Sequence, residues 1–208
     1  NLGGALAAVR PDDMGALVLK ALVERTGIDP AIIEEVYMGC ANQAGEDNRN
    51  VARMSTLLAG FPVEVAAVTF NRLCASGLNA VNQAARAIKA GEGDAYIAAG
   101  MESMSRAPYS VPKAERGYAW GSQTMWDTAL GWRYPNAALK ALYENESMGE
   151  TAENIYDVIP ATREEQDRFP LHSHQRAIAA IDNGVFAEEI VPVEIPQRKG
   201  DPVIVDTD

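Results

Sequence analysis

Val63-Glu-Val-Ala-Ala-Val-Thr-Phe70 is apolar at nearly every position, the pattern of a strand covered on both faces in a parallel sheet. Asn71-Arg-Leu-Cys-Ala-Ser76 then turns the chain into Gly77-Leu-Asn-Ala-Val-Asn-Gln-Ala-Ala-Arg-Ala-Ile-Lys-Ala90. There Leu78, Val81, Ala85 and Ile88 recur at helical spacing, and Gly91 and Gly93 end the helix. Ala95 to Met101 is a second apolar strand. Strand, helix and strand in this order imply a right-handed crossover between parallel neighbours.

The same alternation extends upstream. Pro11 to Gly27 reads as an amphipathic helix with Met14, Leu17, Val18, Ala21 and Leu22 on its apolar side. Asp12 or Asp13 can cap its start and Gly27 its end. Asp29-Pro30 opens a helical turn through Glu35, and Val36-Tyr-Met38 is a short buried strand closed by Gly39. Asn50 to Ala59 is a further helix with Val51, Met54, Leu57 and Leu58 on one side. Residues 1–104 therefore read as the core of an α/β layered sheet domain.

Downstream the regularity breaks. Residues 105–146 hold all three tryptophans and the breakers Pro108, Pro112, Gly117, Gly121, Gly131 and Pro135. A loop this long inside a compact domain is usually functional. Ser147-Met-Gly-Glu150 and Thr162-Arg-Glu-Glu165 match the capping box. The second helix runs towards Gly184 with Ala177, Ile178 and Ile181 on its apolar side, and Pro170 is expected to kink or restart it. Ile190–Ile195 and Val203–Val205 read as strands. Residues 105–208 thus form an inserted loop domain with a returning helix and strand segment.

The 208 residues are 47% hydrophobic and 23% charged, which argues against a disordered chain. The formal net charge of −11 disfavours nucleic acid and anionic membranes as partners. No run of 18 apolar residues exists, so no transmembrane helix is expected. Asn1 to Val9 carries no basic n-region. Two cysteines without a disulfide framework suggest a reducing, cytoplasmic setting.

Cys74 is the candidate nucleophile. A thiol between a buried strand and a helix start meets unpaired N–H groups and the positive end of the helix dipole, which favour thiolate. Small residues at 75–77 admit a substrate. The plainer alternative is a buried structural cysteine. Cys40, after a strand, reads as structural, and no CxxC or histidine cluster suggests a metal. His172 and His174, two apart on a helix, point to different faces and read as surface residues. Asp47, Arg49 and Arg53 read as a solvated face, Met101, Met104, Met125 and Met148 as core packing, and Glu102 as a buried polar anchor.

Asn71-Arg-Leu-Cys-Ala-Ser-Gly-Leu-Asn-Ala-Val81 resembles the acyl-enzyme cysteine motif of the thiolase family. Gly100-Met-Glu-Ser-Met-Ser-Arg-Ala-Pro108, Met148-Gly-Glu-Thr-Ala-Glu-Asn154 and Ser173-His-Gln-Arg-Ala177 resemble its later blocks. Gly39 to Met54 and Leu130-Gly-Trp-Arg-Tyr134 are similar to the branch of acetyl-CoA acetyltransferases and 3-oxoadipyl-CoA thiolases. The resemblance covers essentially the whole chain. It implies an acyl-CoA C-acyltransferase of acyl-CoA and fatty acid metabolism, working through a thioester on Cys74. It implies Met148 near the acyl chain, Leu139 on the pantetheine tunnel, and a homodimer or dimer of dimers. Coenzyme A is then a substrate, with no further cofactor and no metal. The family's activating His, second Cys and Asn-Glu-Ala-Phe block belong to a C-terminal half that this chain lacks, and its first strand is also missing. The 208 residues alone are therefore expected to be inactive. Departures are Phe70 for an aliphatic residue, Ala75 for Gly, Ser147 for a frequent His, and Pro170 within a helix. The alternative is a non-catalytic acyl-CoA or lipid carrier on the same scaffold.

Overall fold

The computed structural model describes residues 2–207. Helix α1, Pro11–Thr26, starts with the proline ring at its first position, where a missing N–H costs nothing. Gly27 ends it in a left-handed turn, φ +66°, and returns its N–H to the Val23 carbonyl. Neither aspartate caps it. Arg10 holds the cap position with no side-chain bond to the helix backbone, and Asp12 sits in the first turn, bound to the Arg10 guanidinium at 2.8 Å. A single 3-10 turn, Pro30–Ile32, leads into β1, Glu35–Gly39. Helix α2, Val51–Leu58, β2, Ala66–Phe70, α3, Ser76–Ala90, and β3, Tyr96–Gly100, complete the alternation.

The three strands are parallel in the order β2-β1-β3, with Tyr37 opposite Val68 and Ala98. Because β1 connects to one side and β2 crosses back to the other, right-handed crossovers place α2 and α3 on opposite faces. On one face Val36, Met38 and Ile97 meet Leu19 of α1 and Val51 and Ala52 of α2. Burying each large aliphatic side chain there contributes roughly 1.5–3 kcal/mol. On the other face Tyr37 stacks on Tyr96, centroids 5.6 Å apart, and tilts against Phe70 at 6.4 Å.

Further expectations shift. The strand expected from Val63 begins at Ala66 and lies at the sheet edge, where α3 covers β1 and β3 and leaves Val68 and Phe70 only half-buried. The helices also turn unexpected faces inward. α1 buries Asp12, Gly15, Ala16 and Leu19 and leaves Val18 and Leu22 exposed; α2 buries Val51, Ala52, Ser55 and Thr56. Gly15 lies where a Cβ would overlap the Ser55 hydroxyl, and that hydroxyl donates to the Asp12 carbonyl at 3.1 Å. Close approach through small residues decides the contact. α3 likewise buries Ser76, Asn79, Ala80 and Ala87, with Leu78 and Val81 66% and 54% exposed.

Downstream come β4, Tyr109–Ser110, antiparallel to β5, Trp126–Asp127, then α4, Ala137–Leu142, α5, Met148–Val158, and α6, Arg163–Asp182. β6, Val193–Ile195, and β7, Val203–Val205, form a two-stranded sheet. Both capping boxes form: Ser147 with Glu150, and Thr162 with Glu165. α6 runs unbroken through Pro170 rather than restarting. The chain divides into two units, one running as far as Leu130 and including Ile195–Val203, the other comprising Gly131–Glu194 and the residues from Ile204. Among the described residues no helix is long and apolar enough to cross a membrane.

Candidate active site

Cys74 lies in the first unit, in the five-residue turn between the carboxyl end of β2 and the start of α3, and its thiol is exposed. Ligands of parallel α/β sheets gather at these strand ends. α3 begins two residues after the cysteine, with Ala75 at its cap position and no side-chain cap bond there. The turn is wired by side chains instead. Asn71 Oδ1 accepts the Leu73 N–H at 2.7 Å, and its Nδ2 donates to the Ala41 carbonyl at 2.7 Å. Ser76 Oγ donates to the Leu73 carbonyl at 2.6 Å and accepts the Arg72 N–H at 2.9 Å.

These bonds hold Leu73 at φ +50°. A left-handed conformation costs a residue with a Cβ about 1–2 kcal/mol, and strain of this kind gathers where a side chain must be presented. The start of α3 is pressed onto the carboxyl end of β1. A Cβ on Gly39 would overlap the Ser76 carbonyl carbon, and one on Gly100 would stand 3.9 Å from Gly77 Cα. The result is a solvent-facing thiol directly after the strained Leu73, on a turn packed against the strand ends, a geometry suited to nucleophilic attack by sulfur.

Cys40 is the opposite case. It is buried, and burial pushes its thiol up to about 12, with the Glu102 and Asp47 carboxylates adding to the effect. It stays a protonated donor, 3.8 Å from Asp47 Oδ2. Cys40, Asp47 and Glu102 converge within 4.8 Å, but each carboxylate is already bonded: Asp47 Oδ1 takes the Gly45 N–H, and Glu102 takes the Ala41 and Asn42 N–H groups. The trio is a hydrogen-bonded brace for the loop after β1. Glu102 is thus an anchor as expected, though an exposed one. Asp47 is buried rather than solvated, and Arg53 is structural too, donating to the Val63 and Val65 carbonyls.

In the second unit, Leu139 on α4 and Met148 at the first position of α5 are exposed, by 40% and 78%. His172 and His174 are exposed on α6. Of the four methionines expected in the core, Met101 packs against it, while Met104, Met125 and Met148 are exposed. An open recess of about 600 Å³ is lined by Arg10, Glu46, Met54 and Arg106 among others, and its lining does not include the Cys74 turn. Sequence reading missed the Asn71 bridge and the Arg10–Glu46–Arg106 cluster. The signal available for the first was a polar residue directly after an apolar strand.

Comparison with known proteins gives the family and the fold. The family model described as the N-terminal domain of thiolase matches residues 1–208. A β-ketoadipyl-CoA thiolase from Acinetobacter baylyi is 56% identical over 206 residues, 99% of this chain and 51% of that protein. A 3-oxoadipyl-CoA/3-oxo-5,6-dehydrosuberyl-CoA thiolase from Escherichia coli is 52% identical over 199 residues, 95% of this chain and 49% of the other. The crystal structure of the Bacillus anthracis acetyl-CoA acetyltransferase superposes with a TM-score of 0.86 at 35% identity, covering all of this chain and 50% of that one. The chain spans about half the length of the curated relatives it matches.

Proposed function

The chain belongs to the thiolase family, of which it carries the N-terminal domain, and from that membership we propose that the full-length protein is an acyl-CoA C-acyltransferase using Cys74 as its nucleophile. The observation that carries the reading is the exposed Cys74 thiol, held on a strained turn at a parallel strand end. In the cleavage direction the Cys74 sulfur attacks the 3-oxo carbonyl of a 3-oxoacyl-CoA. The bond between C2 and C3 breaks, and the electron pair leaves on the acetyl-CoA fragment, which takes a proton. The acyl group remains on sulfur as a thioester. The thiol of a second coenzyme A then attacks that thioester, releases acyl-CoA and returns Cys74. The resemblance assigns the Cys74 N–H to the oxyanion site and the proton transfers to residues outside this chain.

Relatives at 52–56% identity named for 3-oxoadipyl chains make 3-oxoadipyl-CoA the substrate of first choice, ahead of acetoacetyl-CoA. Met148 is proposed to contact the acyl chain and Leu139 the pantetheine arm. Exposure of both side chains leaves them available for that role. Coenzyme A is a substrate in this scheme, with no other cofactor, and the proposed assembly is a cytoplasmic homodimer or dimer of dimers.

The test is acylation of the full-length protein by acetyl-CoA, read by peptide mass, with 3-oxoadipyl-CoA thiolysis measured beside it. The expected result is a thioester on the Cys74 peptide, and a loss of thiolysis of about 10³-fold or more in C74S. An unacylated and unreactive Cys74 in the full-length protein overturns the enzyme reading in favour of a carrier.

A further inference from the structure

Ala41 and Asn42 follow β1, Asn71 follows β2, and Glu102 follows β3, so these residues lie side by side along the carboxyl edge of the sheet. Glu102 grips the loop after β1 with both oxygens: Oε2 accepts the Ala41 N–H at 2.8 Å and Oε1 the Asn42 N–H at 3.2 Å. The Asn42 N–H and the Ala41 carbonyl belong to one peptide group, and that carbonyl accepts Asn71 Nδ2 at 2.7 Å. A carboxylate on the N–H end of a peptide polarises its carbonyl and strengthens the bond at the other end. With Nδ2 so engaged, the Asn71 amide can face only one way. Its Oδ1 meets the Leu73 N–H at 2.7 Å, beside the nucleophile and at the left-handed residue of the turn.

We propose that Glu102 is a positioning residue for Cys74, acting through the 41–42 peptide and the Asn71 amide. The path ends at the Leu73 N–H, one residue before the nucleophile, so the effect proposed is on where the sulfur is held. The inference rests on reading Cys74 as the nucleophile.

The experiment measures the rate constant for Cys74 acylation by acetyl-CoA per folded site in the full-length protein, together with KM for coenzyme A and the thermal midpoint. The variants are E102A, E102Q and N71D. N71D keeps the acceptor for Leu73 but loses the donor to Ala41. A displaced reacting group costs up to about 10²-fold in rate, so E102A and N71D are each expected to slow acylation about 10- to 100-fold with KM little changed. E102Q, with one acceptor oxygen, falls between. Because both residues lie on one path, E102A/N71D together lose no more than the worse single change. If E102A does not fold, E102Q and N71D carry the test. Variants that lower the thermal midpoint but keep the wild-type rate constant per folded site overturn the proposal and leave the nucleophile intact. A wild-type Cys74 that is never acylated overturns the nucleophile reading, and this one with it.

Discussion

A Cβ on Gly39 would stand 2.6 Å from Ser76 Cβ and overlap the carbonyl carbon of the same residue, whereas a Cβ on Gly77 would meet nothing within 4 Å. Two glycines at the base of one turn therefore predict opposite outcomes. G39A forces the first residue of α3 off β1 and strains the Ser76 bonds to Leu73 and Arg72; overpacking of this kind costs about 1–3 kcal/mol. G77A, within the first turn of α3, removes backbone freedom from the unfolded chain and stabilises by up to about 1 kcal/mol. Urea midpoints measure both, and alkylation of Cys74 by iodoacetamide should change in G39A and not in G77A. Equal midpoints would mean that the β1–α3 contact yields at no cost. At this scale the sequence revealed the cysteine and its turn, because small residues after an apolar strand are a local pattern. It did not reveal Asn71 to Ala41 or Glu102 to Ala41, bonds that span 30 and 61 positions and depend on the order in which strands pair.

Among the helices, α6 carries its own test. Pro170 has no N–H to give the carbonyl four residues back and crowds that turn, yet the helix continues to Asp182. The capping box at Thr162 and Glu165 and the exposed Arg163–Asp167 pair support only its first turn. P170A should therefore stabilise α6 by about 1–3 kcal/mol, seen as slower amide exchange over residues 171–178 with the rest of the chain unchanged; unaltered exchange would show that the proline fits without loss. Helix periods, the two capping boxes and most of each strand were legible because they are local, whereas the aspartates expected to cap α1 do not. The faces were not. Hydrophobic spacing pointed α3 inward through Leu78, Val81 and Ile88, but the sheet takes Ser76, Asn79, Ala80 and Ala87. Where backbones pack closely, a helix turns its small side to its neighbour, and the large apolar residues are left over. The same rule moved the inner faces of α1 and α2, at Gly15 and Ser55.

For the whole molecule, the question is what ties chain segments far apart in sequence into the first unit. Beyond the apolar core, one charged cluster does so. Arg106 pairs with Glu46 through two nitrogens, Arg10 reaches Glu46 at 3.0 Å and Asp12 at 2.8 Å, and Arg106 also donates to the Ala8 carbonyl. The segment before α1, the loop after β1 and the chain beyond β3 thus meet at one carboxylate. The Arg106 hydrogen bonds, with Arg10 adding to them, hold the Glu46 carboxyl below its ordinary range. A carboxylate whose value is lowered in the folded state binds fewer protons there than in the unfolded chain. Its contribution is therefore present above the ordinary value of about 4.3 and is lost as pH falls through the lower folded one. E46Q should lower the urea midpoint at pH 7, and the gap to wild type should close as pH is taken from about 5 towards 3. Salt should narrow the gap at pH 7 only in part, since Arg10 is half-exposed while Arg106 and Glu46 are more enclosed. A gap that is constant from pH 7 to 3 would instead make Glu46 a shape-filling residue. The clamp's charge would then contribute nothing, and the three segments would be held by the core alone.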